Sequence, residues 1–109
     1  MAERFAELDV RAAASRLDEF RVLDVREPEE FEGPLGHLAG SELLPLARVA
    51  ESVEALRGRP LLLVCRSGRR SAQACEALLL LGIRDVTNLS GGMIAWNAAG
   101  LPVEGRGAE

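Results

Sequence analysis

Leu61-Leu62-Leu63-Val64-Cys65-Arg66-Ser67-Gly68-Arg69-Arg70-Ser71 is the stretch that decides how this chain folds. Four aliphatic residues in a row leave no polar position on either side of the pleat. Such a strand is covered on both faces and belongs to a parallel sheet flanked by helices. A polar, glycine-containing turn follows, and apolar residues then recur at helical spacing over about 70–81, where Gly82 supplies a left-handed stop.

Outward from this stretch the alternation of strand and helix continues. Residues 4–8 read as a short edge strand, and Asp9 caps a helix with Val10, Ala13, Ala14 and Leu17 on one face. Residues 21–25 form a second buried strand, and Pro28 opens a short helix containing Glu29, Glu30 and Phe31. Turn-forming residues fill 33–40, and 41–44 add a further strand closed by Pro45. Leu46, Val49, Ala50, Val53 and Leu56 recur at helical spacing up to the stop at Arg57-Gly58-Arg59-Pro60. A last strand at 86–89, a tight Gly91-Gly92 turn and a helix at 93–98 complete the pattern. The expected fold is a single α/β domain over 1–109, with an open parallel sheet of about five strands, helices on both faces, and a loose tail at about 104–109.

The 109 residues are 48% hydrophobic and 28% charged, which suits one soluble globular core. A formal net charge of -4 argues against a protein that coats nucleic acid or an anionic membrane. The longest apolar runs, 61–65 and 77–81, fall far short of a bilayer span. Met1-Ala2-Glu3-Arg4-Phe5 carries an acidic residue where a secretory leader would be basic, so the expected location is the cytoplasm. There Cys65 and Cys75 are free thiols. With one histidine, His37, and no Cys/His cluster, no metal and no cofactor are expected. All 13 basic residues are arginine, and three of them, Arg66, Arg69 and Arg70, stand beside Cys65.

In an open parallel sheet the ligand site lies beyond the carboxyl ends of the strands, which here present Asp24, Cys65 and Ser90-Gly91-Gly92. A loop curling from a strand end into a helix points successive N–H groups inward and makes an anion cradle. A sulfur at its centre is expected as thiolate, with the neighbouring guanidinium groups pushing the same way. Arginine also presents two donors to an oxyanion. The loop therefore reads as a nucleophilic cysteine built to meet an anionic substrate.

Residues 64–71, Val-Cys-Arg-Ser-Gly-Arg-Arg-Ser, resemble the active-site loop of the rhodanese family of single-domain sulfurtransferases. Three further stretches agree with that family in order and spacing: 23–31, 36–41, and 91–96 with 100–103. The segment Glu32-Gly33-Pro34-Leu35 is slightly longer than the family pattern. The resemblance implies a rhodanese-like fold and a Cys65 persulfide, formed from a small anionic donor such as thiosulfate and discharged to cyanide or a thiol. It also implies, as an alternative, a sulfur-relay module that exchanges sulfur with a partner protein. Arg66 and Arg69 are the expected donor-holding residues. Ser67 and Gly68 contribute loop amides, while Arg70 and Ser71 fix the loop's shape and cap the helix. The C-x4-R spacing from Cys65 to Arg70 is one residue shorter than the C-x5-R of cysteine phosphatases and arsenate reductases, which ranks those activities lower.

Other residues have plainer expected roles. Cys75 shares a helical face with Ala72, Leu78 and Leu79 and is core filler. Asp24 braces the active-site loop, and Arg26, with Glu27, Glu29 and Glu30 nearby, makes a surface or structural ion pair. His37 is a structural hydrogen-bonder, and Gly91 and Gly92 permit close approach beside the cysteine loop. Trp96 anchors the last helix.

Overall fold

The computed structural model describes residues 4–106. Its strands are β1 (Ala6–Leu8), β2 (Arg21–Asp24), β3 (Glu42–Leu43), β4 (Leu61–Val64) and β5 (Val86–Leu89); its helices are α1 (Val10–Ala14), α2 (Pro28–Phe31), α3 (Arg69–Leu80) and α4 (Gly92–Ala98). The strands form one parallel sheet in the order β1-β5-β4-β2-β3. The fully aliphatic β4 is central because both of its faces can be covered. Leu61 and Leu63 pack with Leu23, Val25, Cys75 and Leu78 on the α3 side, while Leu62 and Val64 pack with Val10, Ala13, Met93 and Trp96 on the side of α1 and α4. Burying each such aliphatic side chain contributes about 1.5–3 kcal/mol. No helix among the described residues is long and apolar enough to cross a membrane.

Local chemistry sets the element ends. Asp9 caps α1 by accepting the Ala12 amide at 2.8 Å. Helix α3 begins one residue before the expected position, after Gly68 at φ 97°, and Gly82 at φ 93° follows its carboxyl end. Residues 46–56 do not form the expected α-helix; they make two 3-10 segments, Leu46–Arg48 and Ala50–Leu56. The Ser52 hydroxyl donates to the Arg48 carbonyl, the acceptor an α-helical Ser52 amide would use, and that amide bonds Val49 instead. Val49 and Leu56 still reach the core.

Glu104, expected in a loose tail, is held in an antiparallel bridge with His37 by reciprocal backbone bonds of 2.9 Å. The expected tail at 107–109 and the acidic start at 1–3 lie outside the described residues.

Arg26 makes the structural one of the two expected kinds of ion pair, but with Asp24 rather than with Glu27, Glu29 or Glu30. It is 1% exposed, and it grips Asp24 through Nε at 2.8 Å and Nη2 at 2.7 Å. Its remaining donors reach the carbonyls of Glu30 and Gly36 at 3.1 and 2.8 Å. A guanidinium can be buried here because each of its three nitrogens meets an acceptor. One side chain thereby ties the end of β2 to α2 and to the rim loop beyond it. Replacing Arg26 by Ala leaves Asp24 buried and unpaired, and denaturant unfolding should show a loss of about 3–5 kcal/mol; a change below about 1 kcal/mol would remove this pair from the account.

Candidate active site

Cys65 is the first residue beyond β4, and its Sγ accepts the Gly68 amide at 3.0 Å. A turn this tight requires the left-handed Gly68, where a Cβ would sit 3.2 Å from the Gly91 amide. The carbonyls of Cys65 and Arg66 point away from the sulfur, into the start of α4, where the Met93 and Ile94 amides take them at 2.9 and 3.0 Å. Gly92, at φ 58°, makes this contact possible, since a Cβ there would overlap both carbonyls. With its carbonyls engaged on one side, the loop presents amides on the other.

Electrostatics follow this geometry. Burial works to raise the Cys65 pKa, but hydrogen bonds from the Ser71 hydroxyl and from the amides of Ser71, Gly68 and Ser67 outweigh it, and the net shift is downward. The lowering is led by hydrogen bonds, as an inward-facing amide cradle implies, with no guanidinium among its leading causes. Arg70 is the cation whose own ionisation responds to the Cys65 charge.

Ser71 is not a helix cap. It is the third residue of α3 and fully buried, with its hydroxyl 3.3 Å from Cys65 Sγ and 2.5 Å from Asn88 Oδ1. Asn88, on β5, donates through Nδ2 to the Gly68 carbonyl and to Glu7, each at 3.1 Å.

Arg70 closes the loop through a partner that sequence did not assign. Its Nη1 and Nη2 each bond a Glu30 carboxylate oxygen at 2.8 Å. Hydrogen bonding from Arg70 holds the Glu30 carboxyl down at about 2, so this pair is ionised across the neutral range. Arg70 is thus committed to Glu30, whereas Arg66 and Arg69 are exposed and make no ion pair among the described residues. A pocket of about 340 Å³, lined by Arg26, Glu30, Pro34, Leu35 and Arg66, opens beside the loop.

Asp24 reaches the site indirectly, through Arg26 and then Glu30. His37 stacks on Phe31 at 3.7 Å and bonds its carbonyl at 2.8 Å, among residues of the rim rather than of the cysteine loop. Cys75 is fully buried against the sheet, and burial, reinforced by Glu7 and Glu76, pushes its thiol up to about 12. Trp96 is buried and donates to the Pro102 carbonyl at 2.9 Å. Sequence reasoning missed Glu30, Asn88 and the Met93 and Ile94 amides. For Asn88 a signal existed, because an amide inside a short strand that is otherwise mostly apolar needs buried partners.

A family model described as Rhodanese-like domain matches residues 7–99. The chain is 39% identical over 82 residues to the uncharacterized protein slr1261 of Synechocystis, covering 74% of this chain and 45% of that one, so it spans about half the length of that relative. It is 34% identical over 101 residues to a protein of Allochromatium vinosum named Sulfurtransferase, covering 89% of this chain and 92% of the other. Among solved structures, a rhodanese-related protein from Thermoplasma volcanium superposes with a TM-score of 0.82 at 30% identity, covering 90% of this chain and 96% of that one.

The two thiols should separate cleanly under a small alkylating agent. In the native protein Cys65 should react, with a midpoint below the usual thiol value of about 8.5, and Cys75 should react only after denaturation. Peptide mapping by mass spectrometry reads both; native labelling of Cys75 ahead of Cys65 would contradict the assigned environments.

Proposed function

The chain belongs to the rhodanese-like domain family, and from that premise we propose that it is a sulfurtransferase that carries sulfane sulfur on Cys65. The observation that carries the proposal is a sulfur facing hydrogen-bond donors, with the nearest carbonyls turned into α4. The Cys65 thiolate attacks the outer sulfur of a donor such as thiosulfate. The Sγ–S bond forms as the donor's S–S bond breaks, and sulfite leaves with the electron pair. The persulfide's terminal charge then sits among the amides from Ser67 to Ser71, as an oxyanion sits in its hole. Cyanide or a thiolate attacks that outer sulfur, takes it, and restores the Cys65 thiolate. The hydrogen bonds that favour the Cys65 thiolate stand in place of a general base.

Arg66 and Arg69 hold the anionic donor in this proposal. They are exposed and uncommitted, while Arg70 and Ser71 shape the cradle. Gly92 keeps α4 close enough to take the loop's carbonyls, while a Cβ at Gly91 would meet Ala95 of α4 itself. The short C-x4-R loop is sized for a sulfur atom rather than a phosphoryl group. Both cysteines are unpaired, the state a reducing cytoplasm maintains. The alternative role, relay between partner proteins, uses the same persulfide and differs in how readily small thiols discharge it.

Incubation with thiosulfate should add one sulfur to the intact mass in the wild type and none in Cys65→Ser. Arg66→Ala and Arg69→Ala should each weaken donor binding about threefold to tenfold, and wild-type donor KM should rise with ionic strength. Fast turnover with small acceptors supports the enzyme, and a stable persulfide with slow discharge supports the relay. Aryl phosphate hydrolysis without persulfide formation would overturn both.

A further inference from the structure

The Ser71 hydroxyl has one hydrogen and faces two acceptors, Cys65 Sγ at 3.3 Å and Asn88 Oδ1 at 2.5 Å. The Asn88 amide cannot turn to relieve this competition. Both of its hydrogens are engaged, one by the Gly68 carbonyl and one by Glu7, whose carboxylate is itself held by the Ser90 hydroxyl at 2.6 Å. Rotating the amide would aim its oxygen at a carboxylate and a carbonyl. Asn88 is 3% exposed and Ser71 fully buried, so water does not readily replace a lost partner.

We propose that Asn88 is a positioning residue that competes with Cys65 for the Ser71 hydroxyl, and so favours the sulfur-loaded over the empty, ionised state of the cysteine. This rests on the sulfurtransferase reading. When Cys65 is a thiolate its charge lies on Sγ, and the hydroxyl turns to Sγ, leaving Asn88 Oδ1 without a donor. When Cys65 carries sulfane sulfur the charge lies on the outer atom, among the loop amides. Sγ is then a neutral divalent sulfur and a weak acceptor, and the hydroxyl returns to Asn88. A protonated Cys65 gains in the same way, donating S–H to Ser71 while Ser71 donates to Asn88. The thiolate is thus the one state in which the Asn88 carbonyl goes unpaired.

Other charged groups near this network do not reproduce the effect. Glu7 lies behind Asn88, Arg70 lies on the helix side, and the Asp24–Arg26 pair reaches the site through Glu30. None competes for the Ser71 hydrogen.

The test is Asn88→Ala, read in two ways: the Cys65 thiolate titration followed by ultraviolet absorbance, and the ratio of persulfide to thiol by intact mass at a fixed thiosulfate-to-sulfite ratio. One neutral hydrogen bond corresponds to about threefold to tenfold. The Cys65 pKa should therefore fall by about half a unit to one unit, and the persulfide-to-thiol ratio should fall by about threefold to tenfold. Both changes should vanish when Asn88→Ala is made in a Ser71→Ala background. If Asn88 merely props the loop through the Gly68 carbonyl, losing it loosens the amide cradle and the Cys65 pKa rises. A rise, no change, or a fall that survives in the Ser71→Ala background overturns the proposal. Asn88→Leu, which fills the same space without an acceptor, serves if the alanine variant does not fold. Failure of the wild type to take up sulfur would sink the sulfurtransferase reading itself, while the titration would still report the competition for Ser71.

Discussion

The Cys65 and Arg66 carbonyls bond to the Met93 and Ile94 amides, and the shape of the cysteine loop follows from that contact. A strand-to-helix turn carries carbonyls as well as amides, and a carbonyl facing a sulfur anion would repel it. By taking two of these oxygens, α4 leaves amides facing the sulfur. The contact needs a backbone with no side chain at Gly92, and Gly68 in turn packs against the Gly91 amide. Two segments far apart in sequence are therefore fitted backbone to backbone, and the chemistry proposed for Cys65 depends on the fit.

Two ion pairs hold the loop from the other side, each in a different environment. Asp24 and Arg26 are buried, with each guanidinium nitrogen hydrogen-bonded, so they fix the frame of β2, α2 and Gly36. Glu30 and Arg70 are partly exposed and join that frame to the first turn of α3. Of the three arginines beside the cysteine, one is structural and two stay open to solvent. The net charge of -4 says little about the site, where the uncommitted charge is positive.

Much of this was legible in the residues. The all-aliphatic β4, the Asp9 cap, Pro28 at the start of α2 and Gly82 after α3 are local signals, and local signals survive folding. Cys65 was legible because its neighbours in sequence are also its neighbours in space. The contacts of Asn88 and Glu30 were not, since each reaches the cysteine loop across the sheet or between helices, with Glu7 behind Asn88, and that pairing is set by strand order and register. The 3-10 segments at 46–56 escaped notice because apolar spacing alone does not show where the Ser52 hydroxyl will bond. The commitment of Arg70 to Glu30 is hidden for a related reason: proximity along the chain does not reveal which way a side chain turns.

The central claim is that backbone amides and the Ser71 hydroxyl, rather than the arginines, hold the charge on Cys65. Titrating the thiolate of Cys65 in an Arg66→Gln, Arg69→Gln double variant tests it directly. The account predicts a Cys65 pKa that stays close to the wild-type value and below the ordinary thiol range, with donor binding weakened. A return of that pKa to about 8.5 in the folded double variant would show that the guanidinium groups set it, and would contradict the account.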